Sequence, residues 1–328
     1  MQLAGTRGSP PTAKLAFICY IRVLCCTKLS VTMKPRNSAD AAIRSVADTA
    51  LWMAAVRADE GLRADAVFHD PLGSILAEGR GRRIARSFSR QAMLAWGVVA
   101  RTSAIDRLIA EVLQSGVDTV VNLGAGLDTR PYRMDLPPQL RWVEVDFPDI
   151  VELKNAKLAA YTPACRLERI GMDLLDRSAR SEFFARYAAG SNHVAVITEG
   201  VVAYFCNDDV ALLAKDLFAL PSIEYWIQDF DNAGRRPQPR GWAQKLKVAP
   251  FRFQVTDWFE FFKQFGWRPK KIITNLEESE RNNRPYPFDF PFGLIMRALP
   301  REMTRKILSL SGVMLMDKAA RQAMPDIS

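Results

Sequence analysis

A chain of 328 residues with 48% hydrophobic and 25% charged residues can bury a large core, which excludes a miniature scaffold, a wholly disordered chain and a polytopic membrane protein. Forty-five Lys and Arg against 36 Asp and Glu give a net charge of +9, yet residues 1–44 hold seven basic residues and one acid, so the remainder is nearly balanced. A basic face of the kind that grips nucleic acid is therefore not expected.

In chain order, Leu15 to Cys26 is the first apolar run, but it is twelve residues long and contains Arg22. A membrane span needs ~20 apolar residues, so no stable membrane insertion is expected. Residues 1–37 read as a disordered or mis-started extension, with Met33 opening the functional chain. From Ser38, apolar residues at Ala41, Ile43, Val46, Ala50, Leu51, Met53, Ala54 and Val56 recur at helical steps. Pro71, in Phe68 to Leu72, breaks that pattern. Arg82, Arg83, Arg86 and Arg90 share helical spacing, as a solvated face or an acid-binding surface. Ala92 to Gln114 reads as a further helix stopped by Gly116.

Strand-type runs then alternate with helical stretches. The strands are expected at Val117 to Leu123, Arg141 to Phe147, Arg166 to Ile170, His193 to Thr198 and Ile223 to Asp229. Asp149 to Tyr161, Arg177 to Ala189 and Asp208 to Leu220 are long enough for crossover helices. This βαβ repetition implies a doubly wound, mostly parallel α/β sheet with helices on both faces, and a ligand at the carboxyl ends of its strands. Beyond a polar loop at Asp231 to Pro239, Thr256 to Phe265 is a helix whose aromatics form core or a lid. Trp267 to Ile273 reads as a last strand. Pro285 to Pro291 covers the pocket or wraps the domain, and the tail turns helical from about Pro300, with an apolar stretch from Leu308 to Met316.

The five cysteines are Cys19, Cys25 and Cys26 near the start, and Cys165 and Cys206 in the body, with no Cys-x-x-Cys spacing. With only two histidines, His69 and His193, they suggest neither a disulfide framework nor a metal site, and fit a reduced, cytoplasmic setting.

The chemistry concentrates where Val120, Val121, Asn122 and Leu123 run into Gly124-Ala125-Gly126. Glycines there let the backbone turn sharply and approach a ligand. Asp146 follows Gly124 by 22 residues, at the end of the next strand, where a carboxylate accepts both hydroxyls of a ribose. The pair points to a nucleoside-containing cofactor. A dinucleotide loop would carry a third glycine where Thr129 stands. Asp128 suits the amino group of S-adenosyl-L-methionine better than a phosphate, although Arg130 and Arg133 keep an anion possible. Asp173 can accept from an adenine amino group, with Leu174 against the ring, or simply cap a helix. Glu199 falls beside the methionine end of such a cofactor.

NLGAGLDTRPYR, EVDFP, MDLL and TEGVVAYF, in this order, resemble the leucine carboxyl methyltransferase family, including its bacterial S-adenosyl-L-methionine-dependent O-methyltransferases. The resemblance covers roughly Ser38 to Phe230. It implies a class I methyltransferase fold with an N-terminal helical region, and a cofactor held by Gly124, Ala125, Gly126, Asp146, Asp173, Leu174 and Glu199. Arg101, in VVARTSAID, matches an arginine that in the family reaches the methionine carboxylate. The domains then run as a helical cap over 38–116, a cofactor-binding domain over 117–275 and a tail with a helix over 276–328.

The expected reaction is methylation of a small molecule or carboxylate. A carboxylate acceptor needs no base but needs a cation, for which Arg101, Arg130, Arg133 and Arg235 are candidates. A phenol or alcohol wants a base, and His193, Asp229 and Glu199 are the options. His193 and His69 read more simply as structural, and Tyr204 and Tyr132 line an acceptor pocket or pack. Two other functions compete: an NAD-dependent oxidoreductase, and a noncatalytic interaction protein that keeps the fold.

Overall fold

Apolar runs that alternate with helices after residue 117 close into one seven-stranded sheet. The computed structural model describes residues 43, 46–87, 91–188, 193–232, 250–287 and 298–318. The extension over 1–37, Arg90, Arg235, most of the 231–239 loop and residues 288–291 lie outside the described residues.

Three helices precede the sheet: α1 (Val46–Gly61), α2 (Pro71–Arg86) and α3 (Gln91–Gln114). Asp70 starts α2, its Oδ1 accepting from Gly73 N at 2.8 Å while Pro71 occupies the first turn. Pro71 thus begins a helix as well as ending a pattern, because its missing N–H costs nothing there. Arg80 of α2 grips Asp48 of α1 through two hydrogen bonds of 2.6 and 2.5 Å, while Arg83 and Arg86 are exposed. Arg83 and Arg86 of the arginine row are therefore on the solvent side, and the packing of α2 on α1 falls to Arg80, outside that row.

The strands and helices that follow are β1 (Thr119–Leu123), α4 (Arg130–Arg133), β2 (Arg141–Asp146), α5 (Pro148–Leu158), β3 (Arg166–Gly171), α6 (Arg177–Ala188), β4 (Val194–Thr198), α7 (Asn207–Ala219) and β5 (Ile223–Asp231). They are succeeded by α8 (Trp258–Lys263), β6 (Trp267–Thr274), α9 (Asn275–Arg281), α10 (Arg301–Leu308) and β7 (Ser311–Lys318). The sheet order is β3-β2-β1-β4-β5-β7-β6, with β1 to β5 parallel and β7 antiparallel to both neighbours. The order reverses between β1 and β4, which opens a crevice at their carboxyl ends. Leu123 pairs with Val145, and Asp146 with Gly171, so β1, β2 and β3 end along one edge.

Side chains alternate between two covered faces. Val121, Val143, Val196 and Trp226 meet Phe183, Leu213, Leu217 and Phe262 on one side. Val120, Trp142, Ala195 and Ile227 meet Ile105, Leu108, Ile109 and Val112 of α3 on the other. With both faces covered, β1 and β4 are buried at every position and show no polar alternation. The aromatic helix α8 is core: Trp258 and Phe262 are buried, and Phe262 meets Trp226 edge-on at 5.1 Å.

Two expectations are corrected. The apolar Leu308 to Met316 stretch is not helical throughout, since α10 ends at Leu308 and β7 takes over. Val313 and Leu315 enter one core cluster and Met314 and Met316 the other, so a strand with two apolar faces mimics a buried helix in sequence. Trp267 to Thr274 is accordingly the sheet's edge strand, though not the chain's last. His193, just before β4, has 51% of its side chain exposed and pairs with Glu224. His69 is also exposed, its ring near Gly61 O. Among the described residues no helix is long and apolar enough to cross a membrane.

Candidate functional site

The end of β1 meets the end of β2 through the glycine turn. Gly124 and Gly126 adopt φ of +66° and +47°, a left-handed backbone that side-chain-bearing residues disfavour. Gly124 N and Ala125 N both donate to Val145 O, at 2.7 and 3.1 Å. The next N–H, of Gly126, donates to Oδ2 of Asp146 at 2.6 Å, and Phe147 N donates to Oδ1 at 2.8 Å. Burial pushes the Asp146 carboxyl above its usual range despite these two donors.

Asp173 and Leu174 follow β3 at the same edge. Asp173 does not cap α6; that task falls to Asp176, whose Oδ1 accepts from Ser178 N and Ala179 N at 3.0 and 3.1 Å. Asp173 instead closes a short turn on Leu175 N at 2.9 Å and is exposed, while Leu174 is buried in the core.

Beneath the glycine turn runs a connected charge network. Arg101 of α3 donates to Glu199 Oε1 at 3.0 Å, to Asp229 Oδ2 at 3.3 Å and toward the sulfur of Met53 at 3.7 Å. Glu199 Oε2 accepts from Arg130 Nη1 at 2.8 Å. Arg130, only 2% exposed, also donates to Asp106 at 2.6 Å and Asp128 at 2.9 Å, and Arg133 holds Asp106 at 2.7 and 2.9 Å. Asn122 Nδ2 donates to Asp128 at 2.9 Å. Three buried atoms of this network lack a protein partner, Nη2 of Arg130, Nε of Arg133 and Oδ1 of Asn122.

Burial raises each buried acid, and the neighbouring cations decide the balance. Arg130, Lys154, Arg57 and Arg133 carry Asp128 well below the carboxylate range, and Arg130 with Arg101 lowers Glu199. Asp229 stays raised because burial outweighs its single guanidinium, Arg101. Asp128, expected near a ligand amino group, therefore spends its charge on Arg130 and Asn122. Arg130 and Arg133, candidates for anion or acceptor binding, spend most of their donors on carboxylates, Nε and Nη1 of Arg130 and both Nη of Arg133.

The helical cap reaches this turn directly. Arg57 of α1 donates to Leu127 O at 2.5 Å and to Asp70 at 2.9 Å, and Thr129 Oγ1 donates to Asp70 at 2.7 Å. The Tyr204 hydroxyl is hydrogen-bonded to Thr49 of α1, and its ring lies 5.3 Å from that of Phe251. Tyr132 points elsewhere: it accepts from Arg169 at 2.6 Å and lines a cavity of about 310 Å³ with Asn155, Leu158 and Tyr161. Asp106, Arg57 and Asp70 escape a sequence reading. Only Asp70 carries a local signal, an acid immediately before Pro71 at a helix start.

A family model for leucine carboxyl methyltransferase matches residues 50–218. The chain belongs to the leucine carboxyl methyltransferase family. A Streptomyces coelicolor protein, provisionally named an S-adenosyl-L-methionine-dependent methyltransferase, is 35% identical over 50% of this chain and 62% of its own. A Mycobacteroides abscessus protein with the same kind of name is 30% identical over 62% of this chain and 67% of its own. The matched region thus spans less than two thirds of the Streptomyces coelicolor relative. Among solved structures, a DUF574 family protein from Streptomyces avermitilis superposes with a TM-score of 0.53 at 18% identity, covering 82% of this chain and 97% of that one. A Thermobifida fusca protein, provisionally titled a methyltransferase, gives 0.50 at 15% identity over 89% and 100%. The sheet order and these likenesses make the fold the class I methyltransferase type expected from the motifs.

Proposed function

We propose that this leucine carboxyl methyltransferase family member methylates an oxygen of a small molecule, with S-adenosyl-L-methionine as donor. The observation that carries this reading is the joining of Asp146 to the left-handed turn, one carboxylate held by the N–H of Gly126 at the switch point of the sheet. The names of the relatives supply the donor.

The residues fit that cofactor. Asp146 is an acceptor for ribose hydroxyls, and the exposed Asp173 an acceptor for the adenine amino group. The unpartnered Nη2 of Arg130 is a buried donor of the kind a methionine carboxylate requires, with Arg101 alongside. Glu199 offers negative charge to an ammonium or sulfonium. Gly124 and Ala125 shape the turn, both donating to Val145 O.

When bound, the cofactor supplies a methyl group on a sulfonium, ready for in-line displacement. The chain's contribution is alignment: Asp146 fixes the sugar end, Arg101 and Glu199 fix the amino-acid end, and α1 reaches the glycine turn through Arg57 and Tyr204 through Thr49. Holding reactants in line is worth up to about 7–11 kcal/mol of barrier. A dinucleotide reading is weakened by Thr129, buried and tied to Asp70 where a third glycine would stand.

Calorimetry tests the reading. Binding of S-adenosylhomocysteine without binding of NADH is the expected result; NADH binding alone reverses it.

A further inference from the structure

Away from the cofactor crevice, a cavity of about 310 Å³ lies at the β3 edge of the sheet. Its walls include Tyr132 of α4, Asn155 and Leu158 of α5, Tyr161 of the connection that follows, and Leu167 and Arg169 of β3. Small-molecule pockets begin at about this size, roughly 300 Å³. Leu167 and Arg169 share one face of the strand, while Glu168 between them turns to the other, where Tyr187 of α6 donates to it. The walls are tied together: Ala164 N donates to Pro131 O at 2.7 Å, and Tyr161 N to Leu158 O at 3.0 Å. None of the lining residues is placed at the cofactor. The connection enters β3 at its amino end, whereas the crevice opens at the carboxyl ends.

Arg169 is the one charged residue of the described lining, and no acid stands there. Its side chain is 9% exposed and held from three sides. Nε donates to Glu144 Oε2 at 2.8 Å, Nη1 to Asn155 Oδ1 at 2.8 Å and Nη2 to the Tyr132 oxygen at 2.6 Å. A guanidinium has five N–H groups, so one remains unspent on each terminal nitrogen. Tyr132 accepts from Arg169 and keeps its own O–H to donate. Asn155 likewise spends its oxygen and keeps its amide hydrogens, and the Tyr161 hydroxyl makes no protein hydrogen bond among the described residues. Glu144, the carboxylate paired with Arg169, is 2% exposed, does not line the cavity, and shares the same oxygen with Lys154 at 2.7 Å. The cavity therefore offers a fixed cation and an excess of donors, which suits an anion. Leu158, Leu167 and the two tyrosine rings suit a flat apolar body beside it, and Tyr161, 42% exposed, leaves the mouth open to solvent.

We propose that this cavity is a second binding site, separate from the cofactor crevice, for a small aromatic carboxylate. The carboxylate takes the unspent N–H groups of Arg169 and the O–H of Tyr132, and the ring lies against Leu158 and Leu167 beside Tyr161.

The test is calorimetry on the full chain with benzoate, with benzamide as its uncharged counterpart and with inorganic phosphate as an anion lacking the ring. Benzoate is expected to bind, equally well with and without saturating S-adenosylhomocysteine, and about tenfold or more tighter than either of the other two probes. Tyr132→Phe, which removes one donor and no ion pair, should weaken benzoate about tenfold, and Tyr161→Ala should weaken it about threefold or more. Both variants should keep the Tm within a few degrees and the S-adenosylhomocysteine affinity within about twofold. Arg169→Met should abolish benzoate binding; the two tyrosine variants decide the matter if it does not fold. Absence of benzoate binding at millimolar concentration, benzamide or phosphate binding as tightly as benzoate, or displacement of benzoate by S-adenosylhomocysteine overturns the proposal. So does benzoate affinity unchanged in both tyrosine variants, which puts the bound carboxylate elsewhere on the chain.

Discussion

The N–H of Gly126 donates to Oδ2 of Asp146 at 2.6 Å, so the glycine turn and the acid of the next strand form one unit before any ligand is bound. Asp146→Ala removes the acceptor for the ribose and should weaken S-adenosylhomocysteine binding by about 1–3 kcal/mol, measured by calorimetry.

The same carboxyl sets a pH dependence. Burial raises its pKa, and only the ionised form accepts from both ribose hydroxyls. Affinity for S-adenosylhomocysteine should therefore be full at neutral pH and fall as pH drops through the raised value, above the ordinary ~3.9 of aspartate. Asp146→Asn should flatten that fall. An unchanged profile in Asp146→Asn removes this residue from the binding site.

Asp128 tests the network as a stability device. Its pKa is lowered in the folded chain, so its contribution is present above the unfolded value and is lost as pH falls through the folded one. Asp128→Asn leaves Arg130 with Asp106 and Glu199 and should cost about 1.5–3 kcal/mol at pH 7 in urea unfolding. The deficit should shrink on acidification below pH 4.

Much of this site is legible in the sequence because it is local. Asp146 ends a strand, and Gly124, Gly126, Asp173 and Glu199 stand within three residues after one, and strand ends of a parallel sheet converge. The Asp128–Arg130 pair is not legible, since charges two residues apart in a turn can point either to solvent or inward. Asp106, on a helix that precedes β1, meets Arg130 and Arg133 only after folding. β7 is missed for another reason: period-two and period-3.6 patterns both vanish in an all-apolar run. Met314→Asp and Leu315→Asp face opposite cores, so both should abolish soluble expression or lower Tm sharply, whereas a helix with one solvent face would tolerate one of them.

Gly124 combines two separable demands. Its φ of +66° penalises any side chain by about 1–2 kcal/mol, and a β-carbon there would fall 2.3 Å from Cγ2 of Val201. Gly124→Ala should therefore lose both stability and S-adenosylhomocysteine affinity. Val201→Ala in the same chain removes the methyl group that collides but leaves the backbone strain, so the double variant should regain part of the loss in Tm. Val201→Ala alone should lower Tm, because Val201 is buried in the sheet core. If the double variant is as unstable as the two single losses added together, the contact between these residues does not constrain the turn. A recovery larger than additivity, read by thermal unfolding of all four chains, assigns the difference to that one steric contact.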